Sequence, residues 1–471
     1  MNYPVWEVPI IGSQLVIAII AIFHVLISHF AIGGGLYLPY AEMLAARRGD
    51  REWRAVIKKH SKFFLILTGV FGTVTGVGIW FSIGLANPEA TSTLIHYFVF
   101  AWAMEWVIFL VELTTIAIYY YTWDRVSDAL HIAIGWLYGI VAWLTLVLIN
   151  GILCFMLTPG TTWLAVAGSG QEIHVFWHAF FNPTYWPSLL IRTLICICLG
   201  GVFALVTASR IDGAAQPRLK TDLIRWSARW LVPTFILLPF AGAWYLWQVP
   251  AVQRHILELG FSTIGQGVFS VVTRMSLTLV LSVATLLVIV YLLAYRNPLD
   301  FKLGAAITIV VLAQAAIMST EMVREMLRKP FVITQHMFSN GVRLREVAAD
   351  NTAGYLARSP WVRAAERTAW AALDAQGTAA TNAPDYKPQM LARGELMFRG
   401  QCMACHTMNG YRAMRTLLAG RDHAGLGNLL KLLHENKDDS PYHAFMPPLV
   451  GTTNEIAALN LYLDTLAAPA K

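Results

Sequence analysis

The sequence predicts an all-α protein in which a polytopic membrane helix bundle of about eight transmembrane helices is followed by a small α-helical domain. The first observation is composition: 56% of the 471 residues are hydrophobic and 13% are charged, whereas a soluble chain has about a quarter charged residues. The second is arrangement, because the apolar residues form long blocks and the mean hydropathy is +0.54. The third is a more polar C-terminal region with short helical patterns.

Windows of about 20 apolar residues are long enough to cross the hydrocarbon core of a bilayer. They lie at about 11–40, 61–85, 96–122, 131–157, 187–209, 230–250, 263–293 and 302–326. The composition then becomes mixed. We therefore expect a membrane domain over 1–332, a helical or partly extended connector over 333–387 and a C-terminal domain over 388–471.

Basic residues are distributed unequally among the connecting loops. Clusters of Lys and Arg fall in 45–62, 210–229 and 294–302, whereas Arg254 is the only Lys or Arg in 86–95, 158–186 and 251–262. Cytoplasmic loops carry an excess of Lys and Arg, so with an even number of spans both termini face outwards. The net charge of +7 reflects this topology, and we expect membrane lipid rather than nucleic acid as the surroundings of these residues.

The sequence C-M-A-C-H from Cys402 to His406 carries the most specific chemistry. Two thiols at this spacing can form thioethers with the vinyl groups of a haem, and the following histidine then ligates the iron. The alternative is a zinc site. Three further candidate zinc ligands follow, namely His423, His434 and His443. We favour covalent haem c, attached through Cys402 and Cys405 and ligated by His406.

The surroundings of this motif resemble a class I cytochrome c. A helical pattern at 394–398 precedes it, A-F-M-P-P follows over 444–448, and a second helical pattern runs over 454–466. The resemblance implies Met446 as the sixth ligand of the iron, with His443 as its rival. Haem is attached to such motifs outside the bacterial cytoplasmic membrane, so the resemblance places this domain in the periplasm, in agreement with the loop charges.

Ionisable residues inside apolar spans cost about 2.5–3.5 kcal/mol each on insertion scales, so each of them suggests a function. His24 lies in the first span. Glu105 and Glu112 lie seven positions apart in the third span, which places both carboxyl groups on one helix face about 10 Å apart. Such a pair suits a haem ligand and a proton-conducting group, and the alternative is a pair of structural, hydrogen-bonded acids.

Arginines occur at three places in or beside the spans. Arg192 opens the fifth span, Arg274 lies in the seventh and Arg328 follows the end of the eighth. Guanidinium groups suit paired anions such as haem propionates, so we expect these residues to bind haem. The alternative is that their side chains extend to the membrane interface.

A series of motifs over about 1–332 resembles subunit I of the cytochrome bd oxygen reductases. In order, they are His24 with Gly33, G-T-V-T-G at 72–76, Glu105 with Glu112, W-D-R at 123–125 with His131, N-G at 150–151, N-P at 182–183, and E-x-x-R-x-P at 325–330. The resemblance implies that His24 and Glu325 ligate two non-covalent haems, of type b or d. It also implies that Glu105 is a catalytic and metal-binding residue at the same site, that Glu112 admits protons, and that a second homologous membrane subunit is the partner.

Two departures from the family pattern bear on function. Arg192 stands nearest to where the family has a histidine ligand of a low-spin haem b, and Arg274-Met275 only loosely matches the motif of its partner methionine. The loop that binds quinol in the family is reduced here to 251–262. We therefore expect electrons to pass through the c-type haem, exchanged with periplasmic c-type cytochromes, rather than through quinol.

The first functional hypothesis is thus a terminal oxidase subunit that accepts electrons from c-type cytochromes and reduces oxygen. A second is an electron-transfer subunit of a larger respiratory complex that does not reduce oxygen. A third is a membrane anchor for a cytochrome c. The acids and histidine within the spans argue against the anchor, because a pure anchor gives no reason for placing such groups in hydrocarbon.

Overall fold

The fold was examined in a computed structural model, which describes residues 3–262, 270–377 and 384–467. It divides into two compact units. The first, called here the membrane unit, comprises 20–78 and 95–327. The second, called the C-terminal unit, comprises 1–19, 79–94 and 328–471. The predicted boundary between 332 and 333 stays a prediction.

Eight helical segments are long and apolar enough to cross a membrane, which confirms the predicted fold class. The helices in this region are α1 (Ser13–Arg48), α2 (Arg51–Ile66), α3 (Thr73–Ala86), α4 (Pro88–Tyr97), α5 (Val99–Tyr121), α6 (Asp128–Phe155), α7 (Thr161–Val166), α8 (Phe176–Phe180), α9 (Tyr185–Ala208), α10 (Pro217–Arg229), α11 (Val232–Gln248), α12 (Ala251–Ser262), α13 (Ser270–Ile289) and α14 (Leu303–Leu327). Residues 263–269, at the start of the predicted seventh span, lie outside the described residues.

Three segments expected to be loops are largely helical. Most of 45–62 belongs to the end of α1 and to α2, most of 210–229 forms α10, and 251–262 forms α12. Helix α10 shows the reason: its apolar residues Leu219, Leu223 and Ile224 recur on one face and are buried, whereas its basic residues lower its mean hydropathy. A hydropathy window detects spans, and it therefore misses helices whose second face is charged.

Close packing of the membrane unit depends on glycine. A Cβ added to Gly33 in α1 would lie 1.7 Å from the carbonyl oxygen of Cys196 in α9, and one added to Gly200 would lie 2.6 Å from the carbonyl oxygen of Gly33. Small residues allow helix backbones to approach closely in membranes, where packing rather than the hydrophobic effect drives association. Helix α9 is accordingly the most deeply buried of the eight candidate spans.

After residue 327, the described part of the C-terminal unit contains a small hairpin and seven α-helices. They are β1 (Phe331–Ile333), β2 (Met337–Phe338), α15 (Val347–Ala353), α16 (Tyr355–Arg358), α17 (Ala364–Ala375), α18 (Tyr386–Gln401), α19 (Met414–Leu418), α20 (His423–Glu435) and α21 (Thr453–Ala467). The two strands pair antiparallel. The predicted connector thus holds both short helices and extended chain, with 378–383 outside the described residues.

Helices α18 and α21 cross at Gly394, where an added Cβ would lie 2.1 Å from the carbonyl oxygen of Ala458. Around this crossing the buried side chains of Phe398, Leu459 and Leu463 belong to one apolar core. Arg393 donates to both carboxylate oxygens of Asp374, at 2.8 and 3.0 Å, which joins α18 to α17. The crossing positions the segment that follows Gln401, which is the C-M-A-C-H motif.

Candidate functional site

Hydrogen bonding to α3 favours one tautomer of His24. Its Nδ1 lies 2.9 Å from the Thr75 hydroxyl, and that hydroxyl lies only 2.6 Å from the carbonyl oxygen of Phe71. When Thr75 donates to this carbonyl oxygen, its own oxygen accepts from His24 Nδ1, and Nε2 keeps its lone pair. This is the form of imidazole that ligates a haem iron.

Two positions of α3 that lie close to His24 and Ile20 are glycines. A Cβ added to Gly76 would lie 3.3 Å from His24 Cε1, and one added to Gly78 would lie 3.3 Å from Ile20 Cγ2. The preceding turn, Leu67–Gly72, is π-helical, a local widening that is frequent at functional sites. These glycines form a cradle of the kind that a flat macrocycle beside His24 requires.

Glu105 and Glu112 both lie on α5, as expected. Glu112 accepts hydrogen bonds from the Tyr138 hydroxyl and from Thr145 Oγ1, each at 3.3 Å, and both donors belong to α6. Glu105 is half-buried and forms no hydrogen bond within the described ranges. The two acids thus differ. Hydroxyl groups hold the carboxyl group of Glu112, whereas the carboxyl oxygens of Glu105 are available to bind another group.

Arg192 is paired with a carboxylate of its own chain. Its Nη2 lies 3.2 Å from Glu321 Oε1, and Arg324 Nε lies 2.8 Å from Glu321 Oε2. One carboxylate therefore lies between two arginines. The buried atoms Arg192 Nε and Arg324 Nη1 have no hydrogen-bond acceptor among the described residues. These orphaned donors fit a further anion such as a haem propionate.

The other residues expected to bind haem lie at the ends of helices. Arg274 is exposed in the first turns of α13, where it bonds to the carbonyl oxygen and hydroxyl of Ser270. Glu325 is half-buried in the last turn of α14. Arg328, buried, donates to the carbonyl oxygen of Val332 at 3.0 Å. The roles of these three residues stay predictions.

Sequence reasoning missed one buried polar cluster, which contains Glu42, Tyr119 and His131. His131 Nδ1 lies 2.7 and 2.8 Å from the two carboxylate oxygens of Glu42, and the Tyr119 hydroxyl donates to the same carboxylate at 2.9 Å. His131 Nε2 lies 2.8 Å from the Tyr119 carbonyl oxygen and must donate to it, because that oxygen only accepts. Glu42 lies two residues beyond the predicted end of the first span. An acidic residue so close to an apolar span was the feature of the sequence that could have indicated the cluster.

The cluster holds one proton that can sit at either of two atoms. Glu42 and His131 are both 1% exposed, so water does not solvate them. The proton lies either on His131 Nδ1, giving an imidazolium and a carboxylate, or on Glu42, giving two neutral groups. Both arrangements satisfy the same hydrogen bonds, so the proton can shift between Glu42 and His131 without movement of the side chains.

In the C-terminal unit the motif continues α18 by one turn. The backbone N–H groups of Cys405 and His406 donate to the carbonyl oxygen of Cys402, each at 3.0 Å. Cys402 and Cys405 therefore lie about one helical turn apart. His406 Nδ1 lies 3.1 Å from the carbonyl oxygen of Arg412 and must donate to it. As at His24, Nε2 keeps the lone pair, and burial lowers the pKa of His406, so its imidazole is neutral.

The three histidines that could have made a zinc site point elsewhere. His423 bonds to Asp464, His434 to the carbonyl oxygen of Leu449, and His443 to Asn436. Nowhere in 3–262, 270–377 or 384–467 do three or more Cys, His, Asp or Glu residues form a metal-binding group. The residues present thus fit thioether-linked haem better than zinc.

Met446 lies in the turn between α20 and α21. Its backbone N–H donates to the carbonyl oxygen of Tyr442 at 2.9 Å, and its side chain is half-buried. Its rival His443 is committed to Asn436 through Nδ1, with distances of 3.1 and 3.2 Å to the carbonyl and amide oxygens. Met446 as the sixth ligand stays a prediction.

Comparison with known proteins gives consistent results for the membrane unit. A family model described as cytochrome bd terminal oxidase subunit I matches residues 13–257. A curated relative, the putative cytochrome bd menaquinol oxidase subunit I of Bacillus subtilis (strain 168), is 24% identical over 233 residues, which is 41% of this chain and 51% of the relative. The chain therefore matches about half the length of that relative.

A solved structure agrees at the level of fold. The bd oxidase from Geobacillus thermodenitrificans superposes with a TM-score of 0.57 at 16% sequence identity, covering 68% of this chain and 87% of that chain. At this identity the likeness concerns the helical architecture alone. The residues that follow 257, including the C-M-A-C-H motif, lie outside the family match.

Proposed function

This chain belongs to the cytochrome bd terminal oxidase subunit I family, and from that premise we propose that it is an oxygen-reductase subunit that exchanges electrons through a c-type haem instead of quinol. The family places it in a membrane-bound respiratory electron-transfer system. The observation that carries the proposal is that His24 and His406 each form a hydrogen bond through Nδ1, the arrangement in which Nε2 can ligate iron.

Haem would supply electron transfer and, at an iron with an open position, oxygen binding and reduction. The chain's own residues supply the rest. His24 beside its glycine cradle would hold one haem, with Glu105 and Glu325 as further ligands, and Arg192 with Arg324 would bind propionates. Cys402, Cys405, His406 and Met446 would hold the covalent haem c.

Oxygen reduction consumes protons, and the membrane unit contains groups that can carry them. Glu112 and Tyr119 are seven residues apart on α5, as are His131 and Tyr138 on α6, so each pair lies on one face about 10 Å apart. The Glu42–His131 cluster and the Glu112–Tyr138 pair therefore occupy successive levels of the same two helices. We infer that protons reach Glu112, and then Glu105, by way of this cluster, with water between the levels.

The segment that follows α11 supports a donor other than quinol. Residues 249–269 connect α11 to α13, and the described part of this connection is mostly the helix α12. We propose soluble periplasmic c-type cytochromes as donors, with the C-terminal domain and both termini in the periplasm and a second homologous membrane subunit as the partner. The menaquinol in the name of the Bacillus relative belongs to that protein.

A second candidate function, an electron-transfer subunit without oxygen reduction, is favoured by one observation. Arg192 stands nearest to where the family has a haem-ligating histidine, and it is paired with Glu321. If the chain lacks a haem with an open iron position, it would relay electrons within a larger respiratory complex. The third candidate function is an anchor that holds only a cytochrome c. The haem content of the protein distinguishes it from the other two.

The test is the haem inventory of the protein purified from membranes with its partner. Pyridine haemochrome spectra should show thioether-linked haem together with non-covalent haem. The reduced protein should change its spectrum on addition of carbon monoxide. Non-covalent haem without carbon monoxide reactivity would indicate the relay, and thioether-linked haem alone would indicate the anchor and refute the proposal.

The substitution Glu105→Ala should abolish carbon monoxide reactivity while the haem c spectrum is retained, because Glu105 is expected at the oxygen-reducing site. Thr114→Ala is a matched control on the same helix, since the Thr114 hydroxyl is exposed and bonds to the carbonyl oxygen of Leu110 in its own helix. Equal carbon monoxide spectra for the two variants would show that the site has been assigned to the wrong acid.

A further inference from the structure

Building on the proposed covalent haem, we propose that residues 5–14, called here the N-terminal strap, form one wall of the haem c site. The strap covers the Cys405 side of the attachment motif and ties that motif to the first turn of α1. The contacts that carry this inference all lie within the C-terminal unit, which contains both 1–19 and 328–471.

A backbone contact joins the strap to the chain just after the motif. The N–H of Tyr411 donates to the carbonyl oxygen of Ile10 at 2.8 Å. The Ile10 carbonyl group passes directly over Gly410, where an added Cβ would lie 1.8 Å from its oxygen. Gly410 does not lie in the left-handed backbone region, so glycine is required there by the approach of the strap rather than by its own conformation.

Side-chain contacts extend this wall to the cysteine itself. Gln14, in the first turn of α1, donates from Nε2 to Cys405 Sγ at 3.3 Å. Gly12 has a φ of +80° and packs against Thr407, with an added Cβ 3.1 Å from Thr407 Cγ2. A small cavity between the two segments is lined by Trp6 and Ser13 from the strap and by His406 from the motif. The strap thus meets the motif at the cysteine sulfur, at the histidine and at the turn that follows.

The start of the strap is anchored in the apolar core. Val5 is buried together with Met397, Phe398 and Leu463, the same core that lies beneath the motif. Glu7 also approaches Arg399, at 4.0 Å with both side chains about half exposed, a distance and exposure at which an ion pair contributes little. Apolar packing at Val5 and the backbone bond at Ile10 therefore hold the strap at its start and near its middle.

Two consequences follow for a haem attached through Cys405. The strap keeps water away from this side of the site, and a less polar environment disfavours the more highly charged ferric state, which raises the reduction potential. The strap also occupies the Cys405 side, so a soluble electron donor has to approach from another side. Gln14 is a positioning residue in this arrangement, because it acts through the sulfur of Cys405.

The test displaces the strap by one methyl group. Gly410→Ala brings a Cβ against the Ile10 carbonyl oxygen, whereas the matched control Gly427→Ala, in α20, places its Cβ 3.3 Å from the amide nitrogen of Asn460 and does not involve the strap. In the full-length protein, hydrogen–deuterium exchange over 407–413 should become at least about tenfold faster in Gly410→Ala only, because the Tyr411 N–H loses its acceptor. The haem c midpoint potential should also fall in this variant only.

A second variant, Gln14→Leu, removes the hydrogen bond to Cys405 and leaves the strap backbone in place. It should lower the haem c potential less than Gly410→Ala and leave exchange over 407–413 unchanged. Equal exchange in Gly410→Ala and Gly427→Ala would overturn the strap, and faster exchange with an unchanged potential would overturn its role as a wall of the haem site. Absence of covalent haem in the wild-type protein refutes the proposed function, and exchange over 407–413 still decides whether the strap is held.

Discussion

His24 and His406 share a hydrogen-bonding pattern although their surroundings differ. One donates to a threonine hydroxyl inside a membrane helix pair and the other to a backbone carbonyl oxygen after a short turn. The carbonyl oxygen beside His406 has no proton to donate, which fixes that tautomer, whereas the Thr75 hydroxyl leaves Nδ1 of His24 as the donor when it donates to Phe71. The sequence indicates that these histidines are ligands, and the structure shows which nitrogen is available.

The Glu42–His131 cluster gives a prediction at the residue scale. In Glu42→Gln the new amide can donate to neutral His131 Nδ1 while its oxygen accepts from Tyr119, so thermal stability in detergent should stay close to wild type. Glu42→Ala leaves buried polar groups unsatisfied and should cost at least about 2 kcal/mol. Oxygen consumption should fall in Glu42→Gln although the fold is retained, because the shared proton is lost. Wild-type turnover in this variant would exclude the cluster from the proton path.

A second residue-scale prediction concerns Asp350 in α15. Burial raises the pKa of Asp350 to about 6, an effect that Glu346 and Glu455 reinforce and Arg358 opposes; the Arg358 guanidinium lies 3.0 Å from the carboxylate. An unfolded Asp has a pKa of about 3.9. Between these values the folded state binds the proton more tightly, so this contribution to stability is present at low pH and is lost as the pH rises towards 6.

Asp350→Asn removes this titration. At pH 7.5 the variant should be more stable than the wild type by about 1 kcal/mol, and the difference should shrink at pH 4.5. The measurement is thermal denaturation of both proteins at both pH values. Contributions of other titrating groups to stability are the same in the two proteins and cancel in the difference. A stability difference that does not change with pH would contradict the raised pKa of Asp350.

At the scale of elements, the helix contacts are decided by glycines rather than by large side chains. Gly33 in α1 and Gly200 in α9 approach each other's backbones, and Gly394 does the same for α18 and α21. The sequence contains many glycines within apolar stretches, and nothing local distinguishes those that touch a neighbouring helix from those that do not. The hydrophobic pattern therefore predicts each helix but not the surface by which it packs.

Gly33→Ala tests this packing in the membrane unit. The methyl group would lie 1.7 Å from the Cys196 carbonyl oxygen, so α1 and α9 must separate, and we expect a loss of about 1–3 kcal/mol. Gly304→Ala in α14 is the matched control, because no atom lies within 4 Å of its added Cβ. Thermal denaturation in detergent should distinguish the two variants, and equal midpoints would show that this contact is looser than described.

The whole molecule is predicted to cross the membrane with its basic loops inside, and cysteine labelling tests this. Ser169→Cys and Ala215→Cys place thiols at exposed positions in the connections after α7 and after α9. A membrane-impermeant maleimide applied to intact spheroplasts should label Ser169→Cys, and it should label Ala215→Cys only after lysis, since the connection near 215 is the basic one. The reverse pattern would place the C-terminal domain in the cytoplasm, where haem c attachment is not expected.

The number of spans could be derived from the sequence because hydropathy is a local sum, and the C-M-A-C-H motif could be found there because it is contiguous. The amphipathic helices were missed because the charged residues on one face lower the mean hydropathy of the window. Pairing over long sequence separations was decided only by the tertiary structure. Glu42 bonds to His131, 89 residues away, and Arg192 bonds to Glu321, 129 residues away. Buried polar groups must find partners, but which partner each one meets depends on how the helices are arranged, and no local pattern encodes that arrangement.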